Sequence, residues 1–199
     1  MVKKQRRITM PPTAPIELLA PAGSFESLQA AIQAGADGIY FGVEQLNMRA
    51  RATSNFKLAD LKKIATICHK NNIKAYLALN TILYDHDLQL TNKICLAAKK
   101  ANIDAAIVSD IAAMTIARKH NLTVHISTQA NVSNIEAVKF YAQFADTIVL
   151  ARELTLQQIK AITHAIKQEN IRGPNKELIK IEIFIHGALC VAISGKCYM

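Results

Sequence analysis
From Ile16 onward the apolar positions alternate between two rhythms. Short apolar runs at 16–20, 37–42, 73–80, 104–108, 122–126, 147–150 and 178–185 read as strands. The stretches between them carry apolar residues three and four apart: Phe25, Leu28, Ala31 and Ile32; then Leu58, Leu61, Ile64, Ala65 and Cys68; then Leu90, Ile94, Ala97, Ala98 and Ala101. That spacing puts each set on one face of a helix. Ile135, Val138 and Tyr141, and later Ile159, Ile162 and Ile166, continue the series, and a further helix opens at Asp110 and runs to Lys119. Ser24 and Thr155 stand where N-caps are needed, and Gly35 ends the first helix. Two stretches lack a period. One runs from Val43 to Asn55 and reads as a long loop; the other, Gln168 to Glu177 with Gly173-Pro174, reads as a turn.

Strand followed by helix, repeated six times and closed by a seventh strand, requires parallel pairing with right-handed crossovers. An open doubly wound sheet accepts the same order. However, Gly35, Gly38 and Gly42 do not form a Gly-x-Gly-x-x-Gly turn opening a helix. The expected fold is therefore α/β, a TIM-like (β/α) barrel, incomplete, with about seven parallel strands. Residues 16–199 form the barrel domain lacking its last unit, since eight such units take about 250 residues. Residues 1–15, with Lys3, Lys4, Arg6, Arg7 and three prolines, are expected to be a disordered basic leader.

Composition narrows the class without naming a chemistry. The chain has 199 residues, 51% of them hydrophobic, and a mean hydropathy of +0.14, which excludes a disordered polar tail. No run approaches the length of a membrane-spanning helix. Four cysteines are too few for a secreted disulfide scaffold, so a reducing, cytoplasmic setting is expected. The net charge of +9 suits a nucleic-acid partner, although four of the positive charges belong to the leader.

Candidate chemistry gathers where the strands end, which in a barrel is the working face. Asn80, Ser109-Asp110, Ser127-Thr128-Gln129, Arg152-Glu153 and His186 follow successive strands, and Arg49 and Arg51 lie beyond the second. Three arginines over one mouth describe a site for a carboxylate or a phosphate. Plainer readings stand beside these: Asp110 as a helix cap, Arg152-Glu153 as a surface ion pair and His125 as a packed core histidine. His69, His86, His120 and His164 belong to no constellation. Cys190 and Cys197 are separated by six intervening residues, wider than a zinc knuckle, and two thiolates do not close a metal site. On spacing alone, incidental loop cysteines remain the plainer reading, and Cys68 and Cys95 read as helix core. No His-Glu-x-x-His and no credible nucleophile–histidine–carboxylate set offers proteolysis a mechanism.

Several segments together resemble the collagenase-like peptidase family, peptidase family U. They are Glu17 to Gly23, Gly35 to Gly42, Ser127 to Asn131, Leu150 to Leu154, and above all Glu182-Ile183-Phe184-Ile185-His186-Gly187-Ala188-Leu189-Cys190 continued by Ser194-Gly195-Lys196-Cys197. The resemblance is nearest to the RNA-hydroxylation branch. It implies oxygen-independent hydroxylation of an RNA base: 5-hydroxyuridine formation in tRNA with prephenate as co-substrate, or else 5-hydroxycytidine formation in 23S rRNA. A peptidase of the collagenase-like family and a non-catalytic barrel partner in a complex are also compatible with it. The resemblance further implies an iron–sulfur cluster of the 4Fe-4S type. Cys190 and Cys197 match its first two ligands, two more are expected beyond Met199, and the chain is thus expected to be C-terminally truncated. Arg49, Arg51, Asn80, Gln129, Arg152 and His186 are the expected substrate-binding residues.

Overall fold
A computed structural model describes residues 16–43, 46–47, 56–187 and 191–196. The expected leader, Arg49, Arg51, Cys190 and Cys197 lie outside the described residues. Seven strands pair in sequence order, every neighbour parallel: β1 (Leu19–Pro21), β2 (Gly38–Gly42), β3 (Lys74–Leu79), β4 (Ala105–Val108), β5 (Thr123–Ile126), β6 (Thr147–Val149) and β7 (Lys180–Glu182). Six helices provide the crossovers: α1 (Phe25–Gln33), α2 (Leu61–Lys70), α3 (Leu88–Lys100), α4 (Ile111–Lys119), α5 (Ile135–Tyr141) and α6 (Leu156–Gln168). The expected incomplete barrel of alternating strands and helices is the observed architecture.

The two faces of the sheet bury different side chains. Ile39, Leu77, Val108, Val124, Ile126 and Ile148 point outward into one core with Leu28, Ile64, Ile94, Ala113, Val138 and Ile166 of the helices. Burying each of the larger ones contributes about 1.5–3 kcal/mol, so this layer dominates the stability. Cys68 and Cys95 belong to it as small apolar residues, and burial pushes both thiols up to about 11. The inner face holds Tyr40, Tyr76, Ala105, Ile107 and His125. Both faces are covered, so the strands read as unbroken apolar runs.

Helix ends explain how tightly the units repeat. Ser24 caps α1 with its hydroxyl on the Ser27 amide, Asp110 caps α4, Asn134 caps α5, and Thr155 and Gln158 form a reciprocal capping box on α6. At the other ends Asn72, Asn102, Asn121 and Asn170 adopt left-handed backbone. Each is followed by Ile or Leu whose amide bonds back five residues, as Ile73 does to the Cys68 carbonyl and Ile103 to that of Ala98. This is the Schellman turn with asparagine in place of glycine, and its apolar residue returns the chain to the core.

Two strands are shorter than the apolar pattern predicts. Pairing at the start begins at Leu19 rather than Ile16, and at the end it stops at Glu182, leaving Ile183, Phe184 and Ile185 exposed. Both are the edges of the sheet, where hydrophobic residues lack a second neighbour to hold them in register. Among the described residues no helix is long and apolar enough to cross a membrane.

Candidate functional site
The C-terminal ends of the strands surround a cavity of about 310 Å³. Its wall is apolar, made by Ala22, Phe41, Ala78, Ile107, Val149 and Phe184. Polar groups enter it from successive strand ends: Tyr40 from β2, Asn80 after β3, Ser127, Thr128 and Gln129 after β5, Arg152 after β6 and Glu182 from β7. An apolar wall with a few convergent polar groups is the usual form of a small-molecule site.

The polar groups hold one another in place. Ser127 caps the short turn that follows β5, its hydroxyl accepting the Gln129 amide at 3.2 Å and the Asn80 side-chain amide at 3.2 Å. Ser109 in turn donates to the Asn80 carbonyl at 3.1 Å. Strand end β3 is thereby tied to those of β4 and β5. Gly42 keeps the near side open: a Cβ there would stand 2.2 Å from Cγ of Asn47, whose side chain donates to the Val43 carbonyl.

Arg152 and Glu153 do not form the surface ion pair that their adjacency suggests. They grip the segment 191–196 instead. The Arg152 guanidinium donates to the Ala192 carbonyl at 2.8 Å, the Arg152 amide to the Ser194 hydroxyl at 3.2 Å, and the Ser194 amide to the Glu153 carboxylate at 2.9 Å. That last bond, from the Ser194 backbone, holds the Glu153 carboxyl below its ordinary range. Gly195 completes the seat. Its φ of +78° is left-handed, and a Cβ would meet the Gln129 carbonyl at 2.9 Å.

Below the cavity lies a titratable interior. His125 is buried, packs its ring against Tyr76 with centroids 4.8 Å apart, and leaves Nδ1 without a partner. Burial lowers its pKa to about 4, so it is neutral. The packed-histidine reading is the right one. The Tyr76 hydroxyl donates to Glu17 at 2.5 Å, and Lys74 pairs with the other oxygen of that carboxylate at 2.7 Å. Glu182 is half-buried, and burial followed by the negative charge of Glu17 raises its carboxyl to about 7.

Of the expected substrate-binding residues, Asn80, Gln129 and Arg152 line the one cavity. His186 stands exposed beyond β7 and is not part of the lining. Asp110 is a cap, accepting the Ala112 amide at 2.7 Å. His69, given no role from sequence, pairs with Asp104 at 2.9 Å on the outside of the barrel. Sequence reasoning missed Glu182 and Ser194. Glu182 alternates on its strand with the outward Ile181, a two-residue signal that a strand of three scarcely displays. Among the described residues no cluster of His, Cys, Asp and Glu can hold a metal, and no serine or cysteine is bonded to a histidine.

The chain is 54% identical over 183 residues to a collagenase of Porphyromonas gingivalis, covering 92% of this chain and 44% of that protein. It is 36% identical to the 23S rRNA 5-hydroxycytidine C2501 synthase of Escherichia coli, with 92% and 26% covered, and 32% identical to tRNA hydroxylation protein P1 of Bacillus subtilis, with 100% and 44% covered. The chain thus spans less than half the length of these relatives. Its fold superposes on the U32 peptidase Mk0906 with a TM-score of 0.63 at 16% identity, covering 79% of this chain and 68% of the other. The model of peptidase family U32 matches residues 23–199, and the chain belongs to that family.

Proposed function
We propose that this chain is the barrel of an RNA base hydroxylation factor that forms 5-hydroxyuridine in tRNA with prephenate as co-substrate. The observation that carries the reading is the mouth cavity, where Asn80, Gln129 and Arg152 converge on an apolar wall and where, among the described residues, no serine or cysteine is bonded to a histidine. The RNA-modifying names of relatives at 32–36% identity support the same reading. Asn80 and Gln129 offer amide donors and acceptors suited to the edge of a base, while Arg152 offers a fork for a carboxylate or phosphate oxygen. Phe41 and Phe184 supply apolar surface for a ring. The alternative, 5-hydroxycytidine formation in 23S rRNA, would use the same pocket chemistry.

Cys190 and Cys197 are the proposed ligands of an iron–sulfur cluster. They flank in sequence the segment 191–196 that Arg152 and Glu153 hold at the mouth, and thiolate is the donor such clusters take. Cys68 and Cys95 do not complete the set, because both are sealed in the outer core with raised pKa values. A bound cluster supplies the electron transfer that side chains lack. Arg152 and Glu153 then hold the loop, and Asn80 and Gln129 orient the base.

The test is expression from the native reading frame in a bacterial strain stripped of its own hydroxylation factors, with mass spectrometry of tRNA and rRNA nucleosides. Restored 5-hydroxyuridine is expected, and Arg152→Ala and Cys190→Ser are expected to abolish most of it while Cys68→Ala retains it. Restored 5-hydroxycytidine alone moves the substrate to rRNA. Neither product, with gelatin cleaved by the purified protein, favours the peptidase reading, which the 54% identity to a collagenase supports.

A further inference from the structure
We propose that the face of the barrel opposite the mouth carries a binding site for a free α-amino acid with an apolar side chain. The site is a cleft of about 230 Å³ where β5 and β6 begin, bordered by the turn that precedes β7 and shaped by Arg118, Thr123, Phe144, Asp146 and Asn175. It shares no lining residue with the mouth cavity, and the inference stands apart from the hydroxylation reading.

Arg118 stands in the last turn of α4, where a cation ordinarily serves the helix dipole. Here its Nη1 donates to the Phe144 carbonyl at 3.0 Å, which fixes the guanidinium at the cleft. The Nε–Nη2 edge, whose parallel N–H groups match a carboxylate, has no partner among the described residues. Asp146 is held as firmly. Its amide donates to the Val124 carbonyl at 3.1 Å, its carbonyl accepts the Lys180 amide at 3.0 Å, and its Oδ1 accepts the Asn175 amide at 2.9 Å. Gly173 lets the turn lie against it, since a Cβ there would stand 2.5 Å from that oxygen. Bracing the turn accounts for Oδ1, whereas Oδ2 has no partner among the described residues.

A cation and an anion thus line one small cleft, each fixed through the backbone, and they do not pair with each other. Opposite charges held apart in this way disfavour a simple anion, which Asp146 repels, and a simple cation, which Arg118 repels. They complement a zwitterion, whose carboxylate takes the Arg118 edge and whose ammonium takes Asp146 Oδ2. The Thr123 hydroxyl and the side-chain amides of Asn121 and Asn175 add neutral partners for the remaining donors and acceptors of such a ligand. Lys99 does not upset the balance, because its ammonium is committed to the Asn121 carbonyl at 2.8 Å. The rest of the wall, Val124, Phe144 and Pro174, is apolar and asks for a hydrocarbon side chain. The volume lies below the roughly 300 Å³ at which pockets for drug-sized ligands begin, so the occupant is small.

The experiment is isothermal titration of the 199-residue chain with L-leucine, L-leucinamide, N-acetyl-L-leucine, 4-methylvalerate and inorganic phosphate. L-leucine is expected to bind, and removal of either of its charges to weaken binding at least about tenfold, the scale of one charged hydrogen bond. Arg118→Gln, and Asp146→Asn, which keeps an oxygen for the Asn175 amide, are each expected to lose at least about tenfold for leucine. Should either variant misfold by circular dichroism, hydrogen exchange of the wild-type chain locates the ligand: leucine is expected to slow exchange across 118–124 and 172–177 and to leave 191–196 unchanged. No binding of leucine up to millimolar concentration, phosphate or 4-methylvalerate bound as tightly as leucine, unchanged affinity in the folded variants, or protection confined to the mouth overturns the proposal.

Discussion
His125 and Glu182 share the inside of one barrel and respond to pH in opposite senses. The buried imidazole stays neutral to about pH 4 in the folded chain, whereas the unfolded chain protonates it near 6.5. Between those values the unfolded state binds more protons, so stability falls as pH drops through that window, by at most about 3.5 kcal/mol at about 1.4 kcal/mol per unit. Glu182, raised to about 7 from 4.5, binds its proton more readily in the folded state. Its contribution is complete below 4.5 and is lost as pH rises through 7. The wild-type profile between pH 4.5 and 6.5 is therefore a partial cancellation. Urea midpoints at pH 5, 6.5 and 8 separate the two: His125→Phe is expected to gain on the wild type toward pH 5, and Glu182→Gln toward pH 8. Parallel profiles for the three proteins would contradict both assignments. His125 was legible as a packed residue because it alternates with Val124 and Ile126, which both reach the outer core. The role of Glu182 depends on which charges face it across the barrel, and Glu17 lies far away along the chain.

At the scale of elements, the order of strands and helices was readable because both faces of each strand are covered and every helix keeps one polar side. The caps at Ser24, Asp110 and Thr155 were readable because capping is a local bond between neighbours in sequence. The grip of Arg152 and Glu153 on Ser194 was not, for it joins residues about forty apart and reverses the expected pairing of two adjacent opposite charges. This clamp is the element that fixes the mouth. Glu153→Gln weakens the charged acceptor for the Ser194 amide, and Gly195→Ala drives a Cβ against the Gln129 carbonyl in a backbone region that costs a side chain about 1 kcal/mol or more. Hydrogen exchange followed by mass spectrometry is expected to show faster exchange across 191–196 in both variants. The peptides of α2 and α3 should be unchanged. Protection of 191–196 equal to wild type would mean that the segment is held by something other than this clamp.

At the scale of the molecule, the sheet order leaves β1 and β7 as the two edges, with no pairing between them among the described residues. Leu18, Ile183, Phe184 and Ile185 stand exposed beside those edges. Parallel edge strands present a row of unpaired backbone groups, and apolar side chains next to them make that row a template for another chain. The pattern of the sequence implied this open seam once seven strands were counted, but not which side chains would line it, because a run such as Ile183 to Ile185 reads as more strand until pairing is seen to stop. The 199-residue chain is expected to self-associate through this seam, with an apparent mass that rises with concentration in light scattering. Replacing Ile183 and Ile185 together by lysine charges the edge and is expected to return the chain to a monomer. Ile111 and Leu156 are together more exposed than Ile183 and Ile185 but sit at the first turns of α4 and α6, away from any strand edge. Lysine at those two positions removes at least as much exposed apolar surface while leaving the edge intact, and is expected to change the association little. If the two double variants behave alike, general surface hydrophobicity drives association, and the open edge does not.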